Sequence, residues 1–307
     1  MNDDKLRKNL KSQSFRFFNA HYNGIGKNKS DEPDKLRSHT SFYKHVEQAA
    51  FAAENMGVKR LKHITPELAQ EYLENRRING ICQKSLAFEK KMLERIISIF
   101  TPITKLNPVI ESKRISKPKA LSNRAYTKQQ TLLILARQTP YTQLSTQIAF
   151  NAGLRAFELL TIQRSNEASP SPHRNWRSDL FKGRDEGVTY IVTGKGGLSR
   201  TVILSTELSN TLEQRRLDEP RVVEDRYAKK VLQFYDISGG HKFSRSFSKA
   251  SMKALGWSMG AHGSRFTYAQ ERMDNSIKAD SYEMAKTIIS QELGHFRPEI
   301  TERYLKP

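Results

Sequence analysis

The sequence predicts a mainly α chain with a small β-sheet or hairpin, an α+β fold in two domains. Three observations carry this. Apolar residues recur at helical spacing in both halves of the chain. The period changes to β-rich runs at one place, Val188 to Thr193 and Thr201 to Leu204, around Gly194-Lys195-Gly196-Gly197. A stretch with four closely spaced cations and Pro118 lies between the two helical regions. The length of 307 residues suits one large domain or two smaller ones.

Taken in order, residues 1–33 are polar and mixed in charge, with Gly24, Gly26 and Asn28 near their end. They read as a flexible N-terminal arm with one short helix around Phe15 to His21. Residues 34–106 read as a helical domain. Phe42, Val46, Ala49, Ala50 and Ala53 form one stripe, and Gly57 stops it. Thr65-Pro66 is an N-cap followed by proline in the first turn, and Gly80 ends that helix. A third helix runs from about Lys84 to Phe100 with Leu86, Met92, Leu93, Ile96, Ile97 and Phe100 inward. Residues 107–124 are the basic linker, with Lys113, Arg114, Lys117 and Lys119. Residues 125–307 form the second domain. Its helices are expected near Thr127, Gln143, Leu154, Thr206, Ser244, His262 and Ser281, with a short one from Pro298. Residues 165–187 read as a polar loop.

Composition narrows the function. The chain carries 52 Lys and Arg against 32 Asp and Glu, a formal charge of +20. Both parts share it: residues 1–120 hold 24 cations and 13 acids, and the remainder 28 and 19. With no opposing acidic block, the expected partner is a polyanion, nucleic acid first. Cations in the linker suit a clamp around a rod-like polyanion. Mean hydropathy is −0.67, and the apolar runs are far too short to span a bilayer. Asp3 and Asp4 stand where a signal peptide needs cations. The expectation is a soluble intracellular protein with no membrane partner. Cys82 is the single cysteine, which excludes an internal disulfide framework and a multi-cysteine zinc site.

Four local patterns carry chemistry. Arg155 and Glu158 sit three residues apart at an expected helix start, which places them on one face. Lys195 lies at the tip of a glycine-rich hairpin. His262 and Arg265 repeat the three-residue spacing. Leu293-Gly294-His295 is followed by Arg297-Pro298-Glu299 and, nine residues past His295, by Tyr304. Each alone has an ordinary explanation, such as a surface lysine in a tight turn or a helical ion pair. Their order is distinctive. Arg…Lys…His-x-x-Arg…Leu-Gly-His…Tyr resembles the tyrosine recombinase/integrase family over roughly residues 125–304, and the wording around His295 looks closest to integrases of phages and mobile elements. Residues 34–106 resemble that family's SAM-like core-binding domain in placement and length.

The resemblance implies a site-specific DNA recombinase that cleaves and rejoins strands through a 3′-phosphotyrosyl intermediate, integrating or excising a mobile element. Tyr304 is then the nucleophile, His262 the general base and His295 a hydrogen-bond donor to a phosphate oxygen. Arg155 and Arg265 are the guanidinium clamp on the non-bridging oxygens, and Lys195 is the general acid for the leaving 5′-oxygen. Glu158 orients Arg155 or a neighbouring histidine. No step calls for a metal or a nucleotide cofactor. The implied partners are double-stranded DNA with specific sites, further copies of the chain in a tetramer on DNA, and accessory DNA-bending or directionality proteins. The implied location is the bacterial cytoplasm, on the nucleoid when bound. Departures from the family are Phe266, where histidine often follows the second arginine, and the loop 165–187, which has no counterpart. Two other readings stay open. One is a topoisomerase IB-like DNA relaxase with the same chemistry. The other is a non-catalytic DNA-binding accessory protein.

Overall fold

The computed structural model describes residues 3–25, 32–103, 105–107, 123–184, 186–194, 196–226 and 229–305. It divides into two compact units, Met1–Lys119 and Ala120–Pro307. The four linker cations Lys113, Arg114, Lys117 and Lys119 and the hairpin-tip Lys195 lie outside the described residues.

The first unit contains α1 (Asp3–Tyr22), α2 (His39–Asn55), α3 (Pro66–Ile78) and α4 (Gln83–Phe100). Ser38 caps α2, and Thr65 caps α3 with Pro66 in its first turn. The core joins all four helices through Leu10, Phe18, Phe42, Leu73, Leu93 and Ile96. A buried carboxylate is fixed within it. Glu89 accepts from Tyr72 Oη at 2.9 Å and from Arg76 Nε and Nη2 at 3.0 and 2.9 Å.

One expectation is corrected here. The flexible arm assigned to residues 1–33 contains a helix of 20 residues. Leu10 and Phe18 are fully buried on it and Phe17 nearly so. Its apolar positions are few and spread among charges, so the stripe reads weakly, yet Leu10, Phe17 and Phe18 suffice to dock it against α2.

The second unit opens with α5 (Lys128–Leu135) and α6 (Pro140–Asn151). Thr127 and Gln130 make a reciprocal capping box at the start of α5. Three antiparallel strands follow: β1 (Gln163–Arg164), β2 (Val188–Thr193) and β3 (Ser199–Leu204), in that order across the sheet. The β2–β3 hairpin pairs Val188 with Leu204 and Thr193 with Ser199, as its alternation predicts. Next come α7 (Thr206–Glu213), the antiparallel pair β4 (Arg216–Asp225) and β5 (Lys229–Tyr235), then α8 (Gly240–Leu255), α9 (Gly263–Glu271), α10 (Tyr282–Glu292) and α11 (Pro298–Leu305). A single π-helical turn, Arg272–Ser276, follows α9. The main core of this unit gathers Tyr126, Ile148, Tyr190, Val202, Tyr235, Phe243 and Phe247. A smaller cluster of Tyr268, Ala269, Ile289, Leu293 and Tyr304 binds α9, α10 and α11 together.

Two local expectations are also corrected. The helix expected from Leu154 is instead a turn ending in a short 3-10 segment, Glu158–Leu160, because the Glu158 side chain turns back to the Arg155 backbone N–H. The β4–β5 ribbon was not expected. Its first strand is rich in charge and mostly exposed, and Pro220 lies in the register shift between Arg216 and Arg221, so no alternation marks it.

Candidate active site

Three backbone turns place the candidate residues. At the first, Gly153 takes φ +60° and the chain reverses into Arg155. A Cβ there would stand 2.8 Å from the Tyr268 ring, so this turn is closed against α9. At the second, the backbone bond from Gly263 N–H to the Gly260 carbonyl brings His262 to the start of α9, with Arg265 one turn in. At the third, Gly294 (φ +71°) ends α10, and the His295 N–H returns to the Ser290 carbonyl at 2.7 Å. Phe296 then takes φ +56°, a left-handed conformation unfavourable for a phenylalanine. Helix α11 carries Tyr304 back to the two histidines, tied to α9 by Gln270 Nε2 donating to the Tyr304 carbonyl at 2.8 Å.

The structure brings Arg155, Glu158, His262, Arg265, His295 and Tyr304 together. Tyr304 Oη lies 3.4 Å from His262 Nε2 and 3.3 Å from His295 Nε2. Its ring stacks on His295 at 5.2 Å between centroids and packs against Phe266 at 4.6 Å. Arg265 Nη2 lies 2.8 Å from His295 Nε2 and donates to the Leu293 carbonyl, while Nη1 donates to the Gly153 carbonyl. With the guanidinium donating to His295 Nε2, the neutral ring carries its proton on Nδ1, and that buried nitrogen has no bonding partner. The Nε–H of Arg265 is likewise buried and unpaired. The Nε–H of Arg200 is a third buried donor without a bonding partner.

The two arginines of the expected clamp differ. Arg155 donates from Nη1 to Glu158 Oε1 at 2.7 Å and keeps 34% of its side chain exposed. Arg265 is wholly buried. Between them stands Glu158, itself buried, whose Oε2 takes the Arg155 backbone N–H at 2.9 Å and lies 3.9 Å from Arg265 Nη1.

Arg200, on β3, was not anticipated. It is 1% exposed. Its Nη2 donates to Glu158 Oε2 at 2.8 Å and its Nη1 to the Glu292 carbonyl. It therefore ties the turn carrying Arg155 to the end of α10, two residues before Gly294. A cation in an otherwise ordinary strand gives no signal of this in the sequence. The Glu292 carboxylate is buried too, held by Arg272, by Tyr268 Oη at 2.8 Å and by the Phe181 N–H at 3.1 Å.

Electrostatics follow from this crowding of cations. Burial alone would raise the Glu158 carboxyl, but the charges of Arg200, Arg155 and Arg265 outweigh it and hold it well below the usual carboxylate range. Burial, and then the charges of Arg265, Arg155 and Arg200, push His295 down to about 3. Burial, then Arg265, Arg124 and Arg155, lower His262 to about 4. His262 keeps an exposed edge, so water moderates its shift relative to that of His295. Both rings are neutral at pH 7, and each can then accept a proton. Arg265 is lowered by burial and by Arg155 to about 10 and stays cationic.

Among the described residues, no group of three or more His, Cys, Asp and Glu side chains is gathered as metal ligands. No described helix is long and apolar enough to cross a membrane.

No family model matches the sequence, and no curated protein matches it. Solved structures do match. The XerH site-specific recombinase bound to difH substrate in a pre-cleavage complex superposes with a TM-score of 0.54 at 12% identity, over 99% of this chain and 94% of that one. The Tn1549 transposon integrase in complex with a circular intermediate DNA gives 0.53 at 11% identity, over 96% and 95%. A lambda integrase dimer bound to a COC' core site gives 0.50 at 14% identity, over 97% and 77%. These neighbours define the class: the chain has the fold of the tyrosine recombinases and integrases. At identities this low the likeness is one of fold, and the work of the site rests on its own geometry.

Proposed function

We propose that this chain is a site-specific DNA recombinase, an integrase of mobile-element type, which cuts and rejoins strands through a 3′-phosphotyrosyl intermediate. One observation carries the reading. Tyr304, the expected nucleophile, sits with its hydroxyl within 3.4 Å of the Nε2 atoms of both His262 and His295, beside a buried Arg265.

The chemistry follows from that placement. A phenol with an ordinary pKa near 10 needs a base. His262, neutral at pH 7, accepts the Tyr304 proton on Nε2 as Oη attacks the phosphorus. The P–O5′ bond breaks, and the leaving oxygen takes its proton from Lys195 in the role the sequence motif gives it. Religation runs the same transfers in reverse. Charge building on the two non-bridging oxygens is met by Arg155, which keeps 34% of its side chain exposed, and by Arg265 and His295 in the roles the sequence motif gives them. Glu158 contacts no substrate in this scheme. It holds Arg155 through two hydrogen bonds and balances three guanidinium charges.

The partner under this reading is double-stranded DNA, which the charge of +20 suits. Duplex specificity, a tetrameric assembly on two duplexes and accessory bending or directionality proteins belong to the same proposal. A nicked suicide substrate tests it. The wild-type chain should form a covalent protein–DNA adduct stable on a denaturing gel. A chain that only relaxes supercoiled DNA, or only binds it, would favour the topoisomerase-like or accessory readings instead.

A further inference from the structure

Part of the polar loop 165–187, which has no counterpart in the motif pattern, packs against the site. Its segment Ser171–Arg177 is bonded on two sides. The Ser171 N–H donates to the Ser199 carbonyl at 3.0 Å, and the Ser199 N–H returns to Ser171 Oγ at 3.0 Å. On the other side the Arg177 N–H donates to Gln291 Oε1 at 2.9 Å, and Gln291 Nε2 donates to the Asn175 carbonyl at 3.2 Å. The segment is thus fixed to the start of β3 and to α10 just before Gly294. Trp176, held by its Nε1–H on the Ser171 carbonyl at 2.9 Å, meets the Phe296 ring edge-on at 4.7 Å. Phe296 is the left-handed residue directly after His295. On that same ring lies the Arg174 guanidinium, 5.3 Å from its centroid.

Arg174 differs from the other arginines of the loop. Arg177 is spent on Asp179 through two bonds of 2.7 Å, and Arg184 on the Asn151 carbonyl and side chain. Arg174 is exposed and has no carboxylate within bonding distance among the described residues. An aromatic face orients a guanidinium without neutralising it. The result is a positioned cation, with no carboxylate partner among the described residues, on the ring of the residue that follows His295, and its chemical complement is a phosphate oxygen.

We propose that Ser171–Arg177 is a phosphate-contacting element of the active site, in which Arg174 holds a backbone phosphate of the cleaved strand beside the scissile one. This rests on the recombinase reading. Two measurements test it. In equilibrium binding to a labelled duplex of about 30 base pairs, with Tyr304→Phe in both proteins to exclude chemistry, Arg174→Ala should make the plot of log K against log salt shallower by about 0.9. Its binding deficit should accordingly shrink about 3.5-fold between 50 and 200 mM salt. In the second, a neutral methylphosphonate replaces each phosphate flanking the scissile one in a nicked suicide substrate. One position should slow adduct formation by the otherwise unaltered chain and leave Arg174→Ala unaffected. An unchanged salt slope, or equal penalties for both proteins at every position, would overturn the assignment. If the unaltered chain forms adduct while Arg174→Ala behaves identically, only this inference falls. If the unaltered chain forms no adduct on any substrate, the recombinase reading itself falls.

Discussion

At the scale of residues, the site depends on protonation and on guanidinium geometry. His262 is depressed, so its base form persists to lower pH than a free imidazole's. Adduct formation at subsaturating DNA, which reports the unliganded protein, should therefore lose rate in acid with a midpoint below 6.5. A midpoint at or above that value would remove His262 as the base. Arg155→Lys keeps the charge but loses the planar fork that bonds Glu158 and, under the proposed function, a phosphate. It should slow cleavage by about two to three orders of magnitude while leaving duplex affinity within a few-fold. Affinity and cleavage falling in parallel would mean that Arg155 serves binding alone. The motif residues were legible because their types and order are unusual together. Arg200 was not: its partners, Glu158 and the Glu292 carbonyl, lie 42 and 92 positions away and meet it only in the fold.

At the scale of elements, the turns before Arg155 and His295 do the positioning. Gly153→Ala puts a methyl against the Tyr268 ring at a positive φ. A destabilisation of about 2–3 kcal/mol is expected in denaturant unfolding, from strain plus overpacking. A loss below 0.5 kcal/mol would show that the turn relaxes freely. Element legibility followed local chemistry. Thr65-Pro66, Thr127 with Gln130, and the β2–β3 alternation announce themselves through caps and period. Helix α1 and the β4–β5 ribbon do not. The first docks by three apolar residues scattered among charges, and the second is mostly exposed and interrupted at Pro220. The described residues of the loop 165–187 are irregular, as their polar composition predicts, but the bonds to Ser199 and Gln291 depend on tertiary contact.

At the scale of the whole molecule, charge and burial make separate predictions. Neutralising Lys113, Arg114, Lys117 and Lys119 should weaken binding similarly across duplex sequences and flatten its salt dependence. An unchanged slope would mean the linker does not track phosphates. Stability should also decline in mild acid. His45 is buried at 4% exposure, its Nε2 facing Arg95 at 2.8 Å, and burial lowers it to about 4. His295 is depressed likewise. A histidine with a depressed folded pKa stabilises the fold above 6.5 and loses that contribution as pH falls toward the folded value, by about 1.4 kcal/mol per pH unit for each ring. Unfolding free energies measured at pH 7, 5 and 4 should fall, and His45→Gln should flatten the trend. The most direct test of the central claim concerns Tyr304. The chain with Tyr304→Phe should bind duplex DNA nearly as the wild type does and form no covalent adduct on a nicked suicide substrate. An adduct that persists in that variant would contradict the account.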